Sequence, residues 1–486
     1  MHAMVELYLT DWEPMHPPIQ ALTFDALTQR YGERYKWMVL FILGVGTIAG
    51  VLSTSSFNVA VPALTHTFHL GQDHVQWAMT AFLAAMTIGM LPAAWWLERF
   101  GLRRVFMAAL WLLIAASVAG FYAHTFVEVV IARLLQGLAA GVLQPLGIMA
   151  LMRLFPPNIQ GRASGILIVG IAFTPAIAPS ISGWLLDQFG WHAIFLLGVP
   201  FALLALVSAH IWLPTPRKKE VPLFDWPGLG WLSAATIGLI EFVSSLHHSG
   251  VVAIWTWGYG ILTLVSMICY IRHAHRLPHA IIQLHLFSRP TFSRGTFVAF
   301  AYGFGLFAST YLIPVFLQNA MAFSATDAGL LLLPSGIALV LTIPLAGRMA
   351  DQFSPRRITL AGLSIFGASF LVFVVVATRV EYWEIVAATV VGRIGLGLIL
   401  PALNLATLHE MEPQHLGQSS VVVSYARQLG GVVGVTMMAV FMEWREQVWG
   451  AVAPGVFKAY AQGFLLLSVV FVLAILVAIG MKDAKR

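Results

Sequence analysis

Charge is what this chain lacks. Only 10% of its 486 residues are Asp, Glu, Lys or Arg, whereas 59% are apolar and the mean hydropathy is +0.83. A water-soluble body of this length needs a far larger charged surface, which excludes a soluble enzyme or scaffold. Cysteine is nearly absent. The single Cys269 excludes a disulfide framework and a cysteine metal site. No GxxxxGK[ST] phosphate loop is present, so ATP is not the direct energy source. No Ser-His-Asp or zinc-protease pattern appears either, so the chain is not expected to be an enzyme. A net charge of +6 could suit nucleic acid. The basic residues, however, stand at the ends of apolar runs and form no single patch, which argues against that partner.

What is present is greasy and periodic. A helix needs about 20 apolar residues to cross the hydrocarbon of a bilayer. Fourteen such runs are found, near 38–62, 77–97, 105–123, 128–154, 163–186, 191–213, 226–246, 252–271, 295–319, 328–350, 358–377, 382–408, 419–442 and 460–481. Fourteen runs predict an all-α integral membrane protein with both termini on one side. Of the 27 Lys and Arg, Arg133, Arg393 and Arg427 fall within runs, and only Arg379, Arg445 and Lys458 fall in connectors opposite the N-terminus. The remaining 21 (27 less six) share the N-terminal side. The positive-inside rule makes that side cytoplasmic. No signal peptide is expected, because roughly the first 36 residues are polar and the first apolar run is too long for a signal core.

Two basic loops look like copies. Ala94-Trp95-Trp96-Leu97-Glu98-Arg99-Phe100-Gly101-Leu102-Arg103-Arg104 is echoed by Gly347-Arg348-Met349-Ala350-Asp351-Gln352-Phe353-Ser354-Pro355-Arg356-Arg357. Each closes an apolar run with an acid, a turn and an Arg pair. Arg133-Leu134-Leu135-Gln136-Gly137 likewise returns as Arg393-Ile394-Gly395-Leu396-Gly397. A duplicated charged loop inside an apolar chain indicates two halves and makes a transporter the first hypothesis. The offset places two inserted spans between two sets of six. The expected layout is a tail at 1–36, a six-helix bundle at 37–213, a linker with two inserted helices at 214–294, a second bundle at 295–481 and a tail at 482–486.

These strings resemble the major facilitator superfamily, and within it the fourteen-span drug:proton antiporter branch of EmrB/QacA-like drug resistance transporters. Asn58-Val59-Ala60-Val61-Pro62, Tyr311-Leu312-Ile313-Pro314 and Arg427-Gln428-Leu429-Gly430-Gly431 also carry the likeness. It implies a major facilitator fold of 14 transmembrane helices (6 + 2 inserted + 6) in the plasma (inner) membrane. It further implies export of small amphipathic organic compounds by proton antiport and alternating access. Glu98, Arg99, Gly101, Arg103 and Arg104, with Gly347, Asp351, Arg356 and Arg357, would then form a conformational latch; the alternative is a topology anchor only. Pro179 and Gly183 in the fifth span would serve close packing against the second half. Some relatives of this branch work with a periplasmic adaptor.

Two departures stand out. The first loop has Ala94 for the usual Gly and Leu102 for a usual basic residue. Ser53 occupies a position where the family typically carries a proton-coupling Asp. Ionisable groups inside spans are functional hypotheses by default. Arg133 is placed roughly 8–10 Å from the outer face, Arg393 roughly 16 Å in and Arg427 roughly 12 Å from the cytoplasmic face, at 1.5 Å per residue. Each suits either a structural role on backbone carbonyls or a direct one. Glu241 is the one carboxylate well inside a span, with proton carriage set against snorkelling or pairing with His247 or His248. The cavity candidates are Ser53, Asn58, Gln136, Gln144, Tyr311, Gln318 and Asn404, any of which can instead bond a neighbouring helix. The histidine groups His66, His69 and His74, and His273, His275 and His279, lack a completing carboxylate or Cys, so no metal or cofactor is expected. Protons, lipid and a small-molecule substrate are the expected partners. The alternative functions are an organic-anion or metabolite carrier without the usual proton coupling and, last, a substrate sensor.

Overall fold

The computed structural model describes residues 32–70, 72–214, 221–248, 253–376, 382–412, 414–450 and 454–482. Among these residues the chain is helical throughout. The first half comprises α1 (Arg34–Ser55), α2 (Val61–Phe68), α3 (Gln72–Met90), α4 (Ala93–Phe100), α5 (Leu102–Phe121), α6 (Phe126–Leu154), α7 (Gln160–Phe189) and α8 (Val199–Trp212). Then come α9 (Trp226–His248) and α10 (Ile254–Arg276). The second half comprises α11 (Pro290–Asn319), α12 (Ala325–Gln352), α13 (Pro355–Val376), α14 (Tyr382–Leu408), α15 (Leu416–Trp449) and α16 (Gly455–Ile479).

Twelve helical stretches among the described residues are long and apolar enough to span a membrane, and a bent pair raises the count to thirteen. The pair is Trp77–Met90 with Ala93–Phe100, which meet at 50°. The sequence predicts one straight run there. Pro92 explains the break, because its ring removes a backbone donor and clashes with the preceding turn. The run at 163–186 falls on α7, where the side chains at 175–177 and 179–180, Pro179 among them, lie outside the described residues.

The duplication read from the loops is repeated in the packing. In the first half α1 packs on α6, α7 and α8, α3 on α6, and α5 on α6 and α8. In the second half α11 packs on α14, α15 and α16, α12 on α14, and α13 on α14 and α16. The pairings correspond one for one. Small residues permit the closest of these approaches. A Cβ at Gly141 would stand 2.1 Å from the Met86 carbonyl oxygen, and one at Gly303 would stand 1.9 Å from the Arg427 carbonyl oxygen. Glycine is needed at both places to seat α6 on α3 and α15 on α11.

Two seams join the halves. At one, α7 lies directly along α12. At the other, α15 meets α3 and α4, and α9 packs on both α3 and α15 from one side. The hydroxyls of Thr236 on α9 and Tyr425 on α15 are 2.7 Å apart. Among the described residues α9 of the insert therefore covers one seam, while α7 and α12 form the other.

Candidate functional site

The twin loops lie at the same end of the molecule. In each, the first Arg of the pair closes the sixth span of its own half. Arg103 donates to the His210 carbonyl at 2.6 Å, near the C-terminus of α8, and Arg356 donates to the Ile479 carbonyl at the C-terminus of α16. A cation there satisfies orphan carbonyls and the negative end of the helix dipole. Arg99, Arg104 and Arg357 are exposed. The turns differ. The first helix is capped by Gly101 at φ +79°, which favours glycine, whereas the second is capped by Phe353, one position earlier in the register, in ordinary extended backbone.

The acids diverge more. Asp351 reaches across to the other half. Its two oxygens accept from the backbone N–H groups of Gly161 at 2.6 Å and Arg162 at 2.8 Å, in the first turn of α7. That turn carries unpaired donors and positive dipole charge, so a carboxylate is strongly favoured. Glycines make the approach feasible. A Cβ at Gly347 would stand 2.3 Å from the Gly161 carbonyl oxygen, and one at Gly165 would meet Pro344 Cα at 3.1 Å. Further along the same helices, Gly183 and Gly336 have nothing within 4 Å of such a Cβ. Of these glycines, those at the basic end make the close approach. Glu98, by contrast, stays within the first half, 3.5 Å from the Arg153 guanidinium. It makes no cap on α15, whose Gly417 instead lies near Ala94 and Arg153.

A second group of polar side chains occupies the middle of the bundles. Arg133 is 2% exposed. It donates to the Ser53 carbonyl at 2.7 Å and to Gln136 Oε1 at 3.1 Å, and Gln136 donates to Ser117 Oγ at 2.9 Å. The rings of Phe57 and Phe82 lie 4.3 and 4.0 Å from its guanidinium carbon. Arg133 and Gln136 thus tie helices together, and the Ser53 hydroxyl bonds back to the Ala49 carbonyl at 3.1 Å. Replacing Arg133 by Ala removes a buried stacked cation with its bonds and should cost about 3 kcal/mol. A melting temperature within a degree of wild type in detergent would rule this out.

Arg393 and Arg427 are held differently. Arg427 on α15 donates to Gln144 Oε1 on α6 at 3.3 Å, a bond between the halves. Arg393 on α14 donates to Thr310 Oγ1 on α11 at 3.3 Å. Both guanidiniums lie within electrostatic reach of the buried Tyr302. Of the other cavity candidates, Gln318 bonds its own helix at the Pro314 carbonyl, 3.3 Å away, and Asn404 is buried with its amide nitrogen unpartnered. Tyr311 is half-buried, within electrostatic reach of Glu446 and Glu443. Glu241 is half-buried on α9, while the side chains of its suggested partners His247 and His248, and that of Asn58, lie outside what the structure describes.

Sequence reading missed Tyr302, Thr310 and the reach of Asp351. It also missed Asp225, which caps α9 through the Gly228 N–H at 2.8 Å and meets His273 Nε2 at 2.7 Å. Asp-Trp-Pro-Gly at 225–228 is a legible helix start, with an N-cap acid and a proline in the first turn. Nearby, Arg289 pairs with Glu412 at 2.7 Å, and this hydrogen bond, then one from Gln414, hold the Glu412 carboxyl below its usual range. Among the described residues no three His, Cys, Asp or Glu side chains converge on a metal position.

Two like bundles, a charged seam between them and a duplicated loop at one end define a two-domain membrane transporter. The chain belongs to the Major Facilitator Superfamily, which it matches over residues 43–435 and again over 295–482. It is a multi-pass membrane transporter and not an enzyme. It is 28% identical over 451 residues to a "Multidrug resistance protein B homolog" of Mycobacterium tuberculosis, covering 91% of this chain and 84% of that one. It is 26% identical to the lincomycin resistance protein LmrB of Listeria monocytogenes, covering 84% and 86%. The riboflavin transporter RibZ of Clostridioides difficile is 24% identical, covering 84% and 88%. In fold it is similar to the proton:xylose symporter XylE, with a TM-score of 0.67 at 15% identity over 94% of this chain and 98% of that one. It is also similar to the human organic anion transporter MFSD10, with a TM-score of 0.65 at 13% identity, covering 90% and 99%.

Proposed function

We propose that this protein is a secondary active exporter of small amphipathic organic compounds in the plasma membrane. It works by rocking bundles 37–213 and 295–481 about a central path, with residues 214–294 forming the inserted pair and both termini cytoplasmic. Fourteen spans complete this layout. The observation that carries the reading is the Asp351 cap on α7. It joins the halves at the basic end, where a part must separate if that end is to open. Several relatives bear resistance names, which favours drug-like cargo over nutrients.

The driving reaction in this reading is proton antiport. No acid stands at position 53, and Arg133 already has the Ser53 carbonyl as its partner. Of the 21 acids, Glu241 is the one well away from span ends and connectors, so it is assigned the proton. The test is uptake into proteoliposomes with an imposed pH gradient. Wild type should accumulate substrate, and Glu241→Gln should lose accumulation while keeping downhill exchange. No accumulation by wild type would overturn antiport. It would favour the second reading, a metabolite carrier without proton coupling, to which Ser53 at the usual Asp position points. Ser53→Asp should then create a pH dependence that wild type lacks.

A further inference from the structure

We infer that the cargo carries a carboxylate, which the Arg393 and Arg427 guanidiniums receive at the middle of the path. This inference rests on the export reading above. A guanidinium offers five N–H donors. Among the described residues Arg427 makes one hydrogen bond, to Gln144, and Arg393 makes one, to Thr310, both at a long 3.3 Å. Neither has a carboxylate partner. Arg133 shows what a structural arginine in this protein looks like: 2% exposed, bonded to a main-chain carbonyl at 2.7 Å and stacked between two rings. The other two are half-buried and, among the described residues, bonded to side chains alone.

Their placement suits a ligand that bridges the halves. Arg427 is fixed by glycines, since Gly303 admits its carbonyl and Gly430 admits that of Phe300. Its side chain meets Gln144 of the other half. Tyr302 lies within electrostatic reach of both arginines. Beside Arg427 in the chain, Gln428 is buried with its amide nitrogen lacking an acceptor. The two guanidiniums therefore carry more donors than the two acceptors shown for them, Gln144 Oε1 and Thr310 Oγ1. Two cations inside a membrane protein are costly without compensation, and a planar carboxylate supplies charge and two acceptor oxygens in the geometry that guanidinium matches. An acid on the cargo supplies the carboxylate that neither arginine meets among the described residues.

The test uses matched pairs that differ only in charge: 2-naphthoate and 2-naphthamide, with several other aryl and alkyl acids and their amides. Binding is measured to the purified full-length protein in nanodiscs, and transport in proteoliposomes. Acids should bind at least tenfold more tightly than their amides. Arg427→Gln and Arg393→Gln should each weaken acid binding about tenfold and amide binding far less, while Arg427→Lys retains part of the preference. A wild-type melting temperature in detergent shows that a variant is folded. Equal affinity for acids and amides, or an acid preference that survives both Gln variants, overturns the inference. Transport of amides without acids overturns it too and leaves the export reading standing. If no member of any pair is moved, both fall.

Discussion

Asp351→Asn should lower transport by more than tenfold while leaving the protein in the membrane. The substitution keeps the shape of the side chain but removes the charge that accepts from Gly161 and Arg162 and faces the positive end of α7. Hydrogen bonds to a charged group contribute about 1.5–3 kcal/mol each, less what the amide oxygen retains. A net loss of about 2–3 kcal/mol from the closed form shifts the closed-to-open ratio roughly 30- to 150-fold. Glu98→Gln makes the control. Among the described residues Glu98 meets the partly exposed Arg153 at 3.5 Å, a pair expected to contribute about 0.5 kcal/mol or less. Transport rates of the two variants at matched expression measure the difference. Equal loss in both would mean that the loops work symmetrically and that the α7 cap has no special part in gating.

Gly347→Val should abolish turnover. Its Cβ alone would stand 2.3 Å from the Gly161 carbonyl oxygen and 3.1 Å from Gly165 Cα, so backbone must move apart. The halves would then be held open at the basic end, with each bundle intact because the clash lies between them. Gly336→Ala on the same helix meets nothing within 4 Å and should transport as wild type. Labelling of single cysteines along α7 reads the outcome. The basic-end positions should become reactive in Gly347→Val and remain protected in Gly336→Ala. Unchanged protection in Gly347→Val would show that the seam accommodates the methyl groups and that its closeness is incidental.

Much of the fold is legible in the sequence because the bilayer imposes long apolar helices and the duplication repeats its punctuation. The 50° break at Pro92 was legible in principle, since proline cannot continue a helix. The site is less legible for a different reason. Arg133 and Arg427 look alike as charges within apolar runs, yet one is bonded and stacked while the other is held by a single long bond. That distinction depends on which helices α6 and α15 press against, which one-dimensional spacing does not encode. Asp351 was singled out for its loop, but its partners lie 190 and 189 residues away on the other half. Glu98 shares its pattern and lacks its contact. The sequence-level symmetry of the loops conceals a structural asymmetry that arises because α9 covers one seam and α7 meets α12 directly at the other.

Spin labels on the two halves test the gating claim most directly. Asn158 precedes α7 and Gln352 ends α12, and both are exposed beside the Asp351 cap. In a Cys269→Ser background, Asn158→Cys and Gln352→Cys carry the labels, and pulsed electron resonance gives their separation in proteoliposomes. At rest a single short distance is expected, as in the closed seam described above. Under a pH gradient with substrate, a second and longer distance should appear, and Asp351→Asn should populate it without either. One unchanged short distance in all three conditions would contradict alternating access through this end of the molecule.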